Sequence, residues 1–282
     1  MKVDLSKHNP FAAYRSDFAR NFSFGDGFDR WVSATMLPAL LGDREASAAI
    51  RMADLGAGSC YWSAQFLQEL PNASIVAVDP SEDLLERQAP AVISAVPGID
   101  DRITRRRQTA QQFADTCRAE AGNFDTIFFM QSAHYIAHEE FDAVFRKLAA
   151  ALKPEGGHVV IQARNMTPDW HPWAFPEDWK EQVQGALVAT DMFFRADRYL
   201  RALEAMPNVF RNVSIFESVT EVHVPCEDYW KRLEDRWIPT FMSEAIVSPQ
   251  LHAQGIANMK KEYRGREMVS WTEKFAVVSA YV

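Results

Sequence analysis

An apolar stretch that ends in an acid and runs at once into two glycines and a helix start, Met52-Ala-Asp-Leu-Gly-Ala-Gly-Ser-Cys-Tyr-Trp62, constrains this chain more than any other segment. It reads as a buried strand turning sharply into a helix. Glycine has no Cβ, so the main chain at Gly56 and Gly58 can turn tightly and touch a ligand, while the following helix start offers unpaired N–H groups. Asp54 narrows the choice of ligand: a carboxylate two residues before Gly56 repels a pyrophosphate but suits an ammonium group. The dinucleotide pattern G-x-G-x-x-G also fails, because its third glycine falls on Tyr61. Taken alone, the segment has an ordinary strand-to-helix turn of an α/β domain as its less favoured alternative reading.

A second apolar run, Ser74-Ile-Val-Ala-Val-Asp79, also closes on an acid, about 20 residues beyond the glycines, where a carboxylate can accept both hydroxyls of a ribose. Helix capping is the alternative role for Asp79, and its joint spacing with Asp54 favours ribose binding. Pro80 and Ser81 then open a helix, with Ser81 as N-cap and Leu84 and Leu85 on its apolar side. The third strand has strand character only at its start, in Arg102-Ile-Thr-Arg-Arg-Arg-Gln-Thr-Ala-Gln111. Arg105 to Arg107 read as a solvated strand face, with a phosphate or nucleic-acid patch as the alternative.

Asp54, Gly56 and Gly58 resemble the first motif of the class I S-adenosylmethionine-dependent methyltransferases, D/E-x-G-x-G-x-G, with Cys60 where the third glycine usually stands. The resemblance implies S-adenosylmethionine as cofactor and S-adenosylhomocysteine as product. It assigns Asp54, Gly56, Ala57, Gly58 and Trp62 to the cofactor loop, and Asp79, Pro80, Ser81 and Leu84 to the ribose and adenine. Thr109, Ala110 and Gln111 stand near the adenine, where an amide can replace the family's usual acid as hydrogen-bond acceptor.

Phe124-Asp-Thr-Ile-Phe-Phe-Met-Gln131 is a fourth buried strand, and ligands of open α/β sheets bind beyond the carboxyl ends of such strands. Gln131, Ser132, His134 and Tyr135 are therefore expected where the methyl group meets its acceptor. Glu139 to Leu152 has helical apolar spacing and stops at Lys153-Pro-Glu-Gly-Gly157, before a fifth strand His158-Val-Val-Ile161. That turn, with the His134-Tyr135 pair, resembles the trans-aconitate methyltransferase-like branch.

Residues 1–40 are read as an N-terminal helical cap segment, 41–165 as the cofactor-binding core, and 166–282 as a lid insertion, the remaining strands and substrate-cap helices, all within one structural domain. Helices are expected over Trp31 to Leu41, Asp228 to Phe241 and Pro249 to Tyr263, and strands over Val213 to Val224 and Phe275 to Val282. The fold expected is α/β, a Rossmann-like doubly wound seven-stranded sheet, mostly parallel, with the last strand inserted antiparallel and a helical cap. Tyr14 is a candidate ring for the sulfonium, whose charge favours an aromatic face, or else part of a packed stripe with Phe11, Phe18 and Phe22. Trp170, Trp173 and Tyr229 are candidate acceptor-pocket aromatics, with loop anchoring as the alternative for the tryptophans.

The formal charge of −8 argues against nucleic acid or an anionic membrane as principal partner. Cys60, Cys117 and Cys226 lack metal-ligand spacing, so no metal is expected and a reducing, cytoplasmic setting is. The start lacks a signal-peptide core, and no run of roughly 20 apolar residues is present to span a bilayer. The leading function is O- or N-methylation of a small-molecule acceptor by in-line displacement, with His134 as candidate base or, alternatively, a loop-capping residue. Two alternatives keep the cofactor: internal cyclisation of its aminocarboxypropyl chain to a cyclic amino acid and methylthioadenosine, and binding without catalysis. The oligomeric state is left open.

Overall fold

Met52–Leu55, Ile75–Val78 and Thr126–Met130 are mostly apolar and are buried on successive residues, as in strands covered on both faces. A computed structural model describes residues 27–164, 196–234 and 248–282. In chain order it contains α1 (Gly27–Leu41), β1 (Arg51–Leu55), α2 (Tyr61–Glu69), β2 (Ser74–Val78), a π-helical turn (Asp83–Gln88) leading into α3 (Ala89–Ser94), and β3 (Ile103–Arg106). There follow α4 (Ala110–Thr116), β4 (Thr126–Met130), α5 (His138–Ala151) and β5 (His158–Arg164). The remaining elements are α6 (Ala196–Glu204), β6 (Arg211–Pro225), α7 (Cys226–Glu234), α8 (Pro249–Glu262) and β7 (Met268–Tyr281).

The strands form one seven-stranded sheet in the order β3-β2-β1-β4-β5-β7-β6. β1 to β5 run parallel, and β7 is antiparallel to both β5 and β6. This is the expected doubly wound fold. One face is covered by α1, α2 and α3 through residues such as Met36, Leu40, Phe66, Leu67 and Val92. The other is covered by α4, α5 and α6 through Phe113, Phe141, Phe145, Leu148 and Tyr199. In α5 the buried positions Phe141, Val144, Phe145, Leu148 and Ala151 follow helical spacing, which is why this helix was legible in the sequence. α1 lies within the expected N-terminal cap segment, yet Val32, Met36 and Leu40 are part of the core.

The seventh strand begins earlier than its apolar stretch indicates. β5 pairs with β7 from Tyr281 back to Phe275, opposite Arg164, whereas β6 stays paired with β7 as far as Met268. A two-stranded ribbon therefore continues past the carboxyl end of β5. Cys226 starts α7 at the ribbon's tip, its N–H donating to the Glu267 carbonyl. The sequence concealed this extension because Met268 to Lys274 mixes polar and apolar residues and carries no continuous apolar run.

Candidate active site

β1 and β2 end side by side, with Asp54 opposite Ala77 and Leu55 opposite Val78. Beyond them the chain bends across the tip of β2, where the N–H groups of Gly56 and Ala57 both donate to the Val78 carbonyl at 2.8 and 3.0 Å. Gly56 has φ +82°, and a Cβ there would lie 2.3 Å from the Ser132 Cβ. Its glycine is required by the protein itself, because Ser132 bonds through its hydroxyl to the Leu55 carbonyl and locks the tips of β1 and β4 together. Gly58 differs. At φ +54° its missing Cβ would, among the described residues, meet only the Leu84 Cδ1, at 3.8 Å, so none of them closes the opening over this glycine.

Cys60 occupies the position of the motif's third glycine and keeps that residue's left-handed conformation, φ 60° and ψ 22°, just before α2. A non-glycine residue there carries strain of about 1–2 kcal/mol. Its side chain is fully buried, and burial pushes the thiol pKa well above its ordinary value.

The two predicted acids lie at this loop in different states. Asp79 accepts from the Gly58 N–H at 2.9 Å through Oδ2 and from the Ser81 N–H at 2.8 Å through Oδ1. Each oxygen of a carboxylate has a further lone pair, so these bonds orient the group without exhausting it. Ser81 acts as the expected cap, its hydroxyl accepting from the Leu84 N–H at 3.2 Å. Asp54 is 1 % exposed; its Oδ2 accepts from the Ser63 hydroxyl at 2.6 Å, whereas Oδ1 has no hydrogen-bond partner among the described residues. Burial raises its pKa to about 7, against the lowering effect of the Ser63 bond and with a further rise from the charge of Asp79. That last effect places both acids in one electrostatic environment. The buried Ser59 hydroxyl of the same loop also lacks a partner.

At the tip of β4, Gln131 takes a positive φ of 53° and donates its N–H to the Gln162 carbonyl at 3.1 Å. The short helical turn Ala133–Tyr135 follows, with the rings of His134 and Tyr135 4.1 Å apart and Tyr135 79 % exposed. Burial lowers the His134 pKa to about 4, so the imidazole is neutral at pH 7. This modifies the expectation of a base titrating near neutrality: the neutral ring is a weak base, pulling on a proton less than an ordinary imidazole does.

The other predicted residues are placed variously. Thr109 is the N-cap of α4 in a reciprocal capping box with Gln112. Gln111 donates through Nε2 to Glu140 at 3.0 Å, and Ala110 packs at the edge of the core. Trp62 stacks on Phe66 at 6.1 Å, and Pro80 is exposed beside Asp79. Tyr229 is fully buried on α7 with its ring against Trp230, on the β6–β7 side of the molecule. Tyr14, Trp170 and Trp173 lie outside the described residues. The arginine run is a paired surface: Arg105 bonds to the Leu85 carbonyl, Arg106 to Glu120 and Arg107 to Glu82.

Two contributors escaped the sequence reading, Ser63 and Gln162. Ser63 lies one helical turn into α2 and carries no motif signal. Gln162 interrupts an apolar strand, a signal hidden by ending that strand at Ile161. Among the described residues no cluster of three or more His, Cys, Asp or Glu is arranged to hold a metal ion, and no helix is long and apolar enough to cross a membrane.

Residues 52–156 match the family described as "Methyltransferase domain". The matched segment runs from β1 through α5 and holds Asp54, the glycine loop and Asp79. No curated protein matches the chain. Among solved structures, YcgJ from Bacillus subtilis is 13 % identical with a TM-score of 0.54, over 89 % of this chain and 98 % of that one. A protein from Galdieria sulphuraria, provisionally described as a sarcosine dimethylglycine methyltransferase, is 14 % identical with a TM-score of 0.52, over 90 % and 84 %. A geranyl diphosphate methyltransferase in complex with SAM is 18 % identical with a TM-score of 0.50, over 99 % and 95 %. At these identities the likeness is one of fold.

Proposed function

We propose that this methyltransferase-domain chain transfers a methyl group from S-adenosylmethionine to a small-molecule acceptor at oxygen or nitrogen, releasing S-adenosylhomocysteine. One observation carries the reading: a buried carboxylate with an unpartnered oxygen, Asp54 Oδ1, sits beside a glycine loop whose Gly58 leaves unfilled space. A buried, unpaired acceptor costs on the order of 1–3 kcal/mol, more for a charge, and a ligand ammonium removes that cost. The residues present fit the cofactor. Asp54 meets its amino group, Gly58 admits its chain, and Asp79, oriented by two backbone N–H groups, offers its remaining lone pairs to the ribose hydroxyls. Leu84 and Ser81 border the nucleoside, with Thr109, Ala110 and Gln111 on the adenine side.

S-adenosylmethionine held by these residues would supply an electrophilic methyl group and leave as S-adenosylhomocysteine, and His134 or solvent would take any proton the acceptor loses. Gln131 and His134 at the tip of β4 position the acceptor, and positioning of this kind contributes on the order of 7–11 kcal/mol in favourable models. A neutral, weakly basic His134 suits an acceptor that loses its proton readily, or a carboxylate that has none to lose. Tyr14, Trp170, Trp173 and Tyr229 are assigned to enclosing the methyl group and acceptor. The close His134–Tyr135 pair supports the trans-aconitate methyltransferase-like branch as the finer assignment. Three buried, unbridged thiols support a cytoplasmic setting.

The test is chromatography of protein incubated with S-adenosylmethionine, with and without a panel of small acids, alcohols and amines. Acceptor-dependent S-adenosylhomocysteine is expected. Methylthioadenosine formed without an acceptor would replace methyl transfer by cyclisation, intact retained cofactor would leave a binding protein, and absence of binding would overturn the reading altogether.

A further inference from the structure

Along β5, Val159, Ile161 and Ala163 point into the core beneath α4 and α5, while Val160 points to the opposite face, beneath α1 and α2. Strand alternation puts Gln162 on that second face, after Val160. Its neighbours in register are Met130 on β4 and Val277 on β7, both in that apolar layer. An amide here is out of pattern. Gln162 is 1 % exposed, its Nε2 donates to the Ala163 carbonyl at 3.3 Å, and its Oε1 has no partner among the described residues. The opposite orientation of the amide would set two carbonyl oxygens against each other, so the unpaired group is the acceptor. Buried acceptors are nearly always satisfied, and an exception asks for a group that arrives later.

The face and the level of the sheet identify that group. Asp54 lies opposite Phe128 on β4, and Phe128 lies opposite Val160 on β5, so Asp54 and Gln162 share one face of the sheet. Gln162 stands two strands across and two residues nearer the carboxyl ends. With strands about 4.8 Å apart and a rise of about 3.3 Å per residue, the two backbones are roughly 12 Å apart. Between them is the tip of β4, from which Gln131 and His134 follow. The β6–β7 ribbon continues past the carboxyl end of β5, on Gln162's half of the sheet. Two unpartnered acceptors thus flank the place assigned to the methyl group, an anionic one on the glycine-loop side and a neutral one on the side toward the ribbon.

We propose that Gln162 is a specificity-determining residue of the acceptor site, its Oε1 receiving a hydrogen bond from an O–H or N–H group on the methyl acceptor. The proposal rests on the methyl-transfer reading and narrows the acceptor class to small polar molecules that carry such a donor beside the methylated atom. A site with a buried hydrogen-bonding group rejects analogues lacking the partner more strongly than an apolar pocket rejects a missing methylene.

Gln162→Leu in the full chain tests it in two ways. Thermal unfolding of the free protein is expected to stay level or move upward, because the variant removes an unsatisfied carbonyl; a clear loss of stability would make Gln162 structural and overturn the proposal. With S-adenosylhomocysteine present, matched probes 2-hydroxybutyrate, 2-aminobutyrate and butyrate are titrated against both proteins. The wild type is expected to favour a donor-bearing probe over butyrate by tenfold or more, and the variant to lose that preference while its S-adenosylhomocysteine affinity stays within twofold. An equal response of the two proteins to all three probes overturns the proposal. Failure of the cofactor to bind the wild type would instead sink the methyl-transfer reading.

Discussion

The two ends of the sheet each bury an aspartate, and the two are treated in opposite ways. At the amino end of β4, Asp125 accepts from the Arg51 N–H at 2.9 Å, receives Lys153 Nζ at 2.9 Å on both oxygens, and has Arg44 Nε at 3.3 Å. The Lys153–Gly157 turn is fitted around this cluster: a Cβ on Gly157 would lie 2.4 Å from the Lys153 carbonyl, and Gly156 offers its own carbonyl to Arg44 at 2.7 Å. At the carboxyl end, Asp54 has one serine and an empty-handed oxygen. A buried acid surrounded by cations and N–H groups is finished when the chain folds. One left half-satisfied, with its pKa driven up by burial, is completed only by a ligand, the pattern expected where stability is given up for binding.

That contrast makes opposite predictions for the two ends. Gly56→Ala should have the largest effect, because it forces a side chain to positive φ and against Ser132; a loss of about 2–5 kcal/mol is expected in urea unfolding, together with loss of cofactor binding. Asp125→Ala should cost about 2–3 kcal/mol by leaving Lys153 and the Arg51 N–H unpaired, with cofactor affinity measured by calorimetry unchanged. A fall in affinity without a fall in stability would erase the distinction between the ends.

Asp54→Asn should do the reverse. Cofactor affinity is expected to fall tenfold or more, about 1.4 kcal/mol, with little loss of stability at pH 8. The pH dependence has a definite sign. The folded pKa of Asp54, about 7, lies above its ordinary 3.8, so the folded protein holds a proton that the unfolded chain has released between those values. Its stabilising contribution is complete below 3.8, declines as pH rises, and is gone above about 7. Wild-type stability should carry this slope and Asp54→Asn should lack it, as read from unfolding midpoints between pH 4 and 8. Cys60→Gly should have the smallest effect, within about 1 kcal/mol by thermal unfolding, since relief of left-handed strain is offset by a lost buried thiol and glycine's greater unfolded entropy.

Much of this molecule was legible in local pattern. The acid and glycine spacing around Asp54 and Asp79, the apolar runs of β1, β2 and β4, and the periodicity of α5 all depend on residues close in the chain. The β7 extension was not, because Met268 to Lys274 has no continuous apolar run to mark it. Nor was the partnership of Asp125 with Arg44 and Lys153, since Arg44 is distant in sequence and both cations look like surface charges. Thr109 shows the limit from the other side: its capping box with Gln112 is a purely local motif, and the same residue type at the same place fits a ligand contact equally well.

The sequence by itself determined that a carboxylate, a glycine loop and a second carboxylate would follow two neighbouring strands, because strand ends and tight turns are governed by side chains a few residues apart. Only the tertiary structure decided which buried polar atoms were left wanting a partner. Asp54 Oδ1 and Gln162 Oε1 became unpaired, and Asp125 fully paired, through the packing of strands that are remote in the chain, and hydrogen-bond satisfaction is a property of that packing rather than of any segment within it.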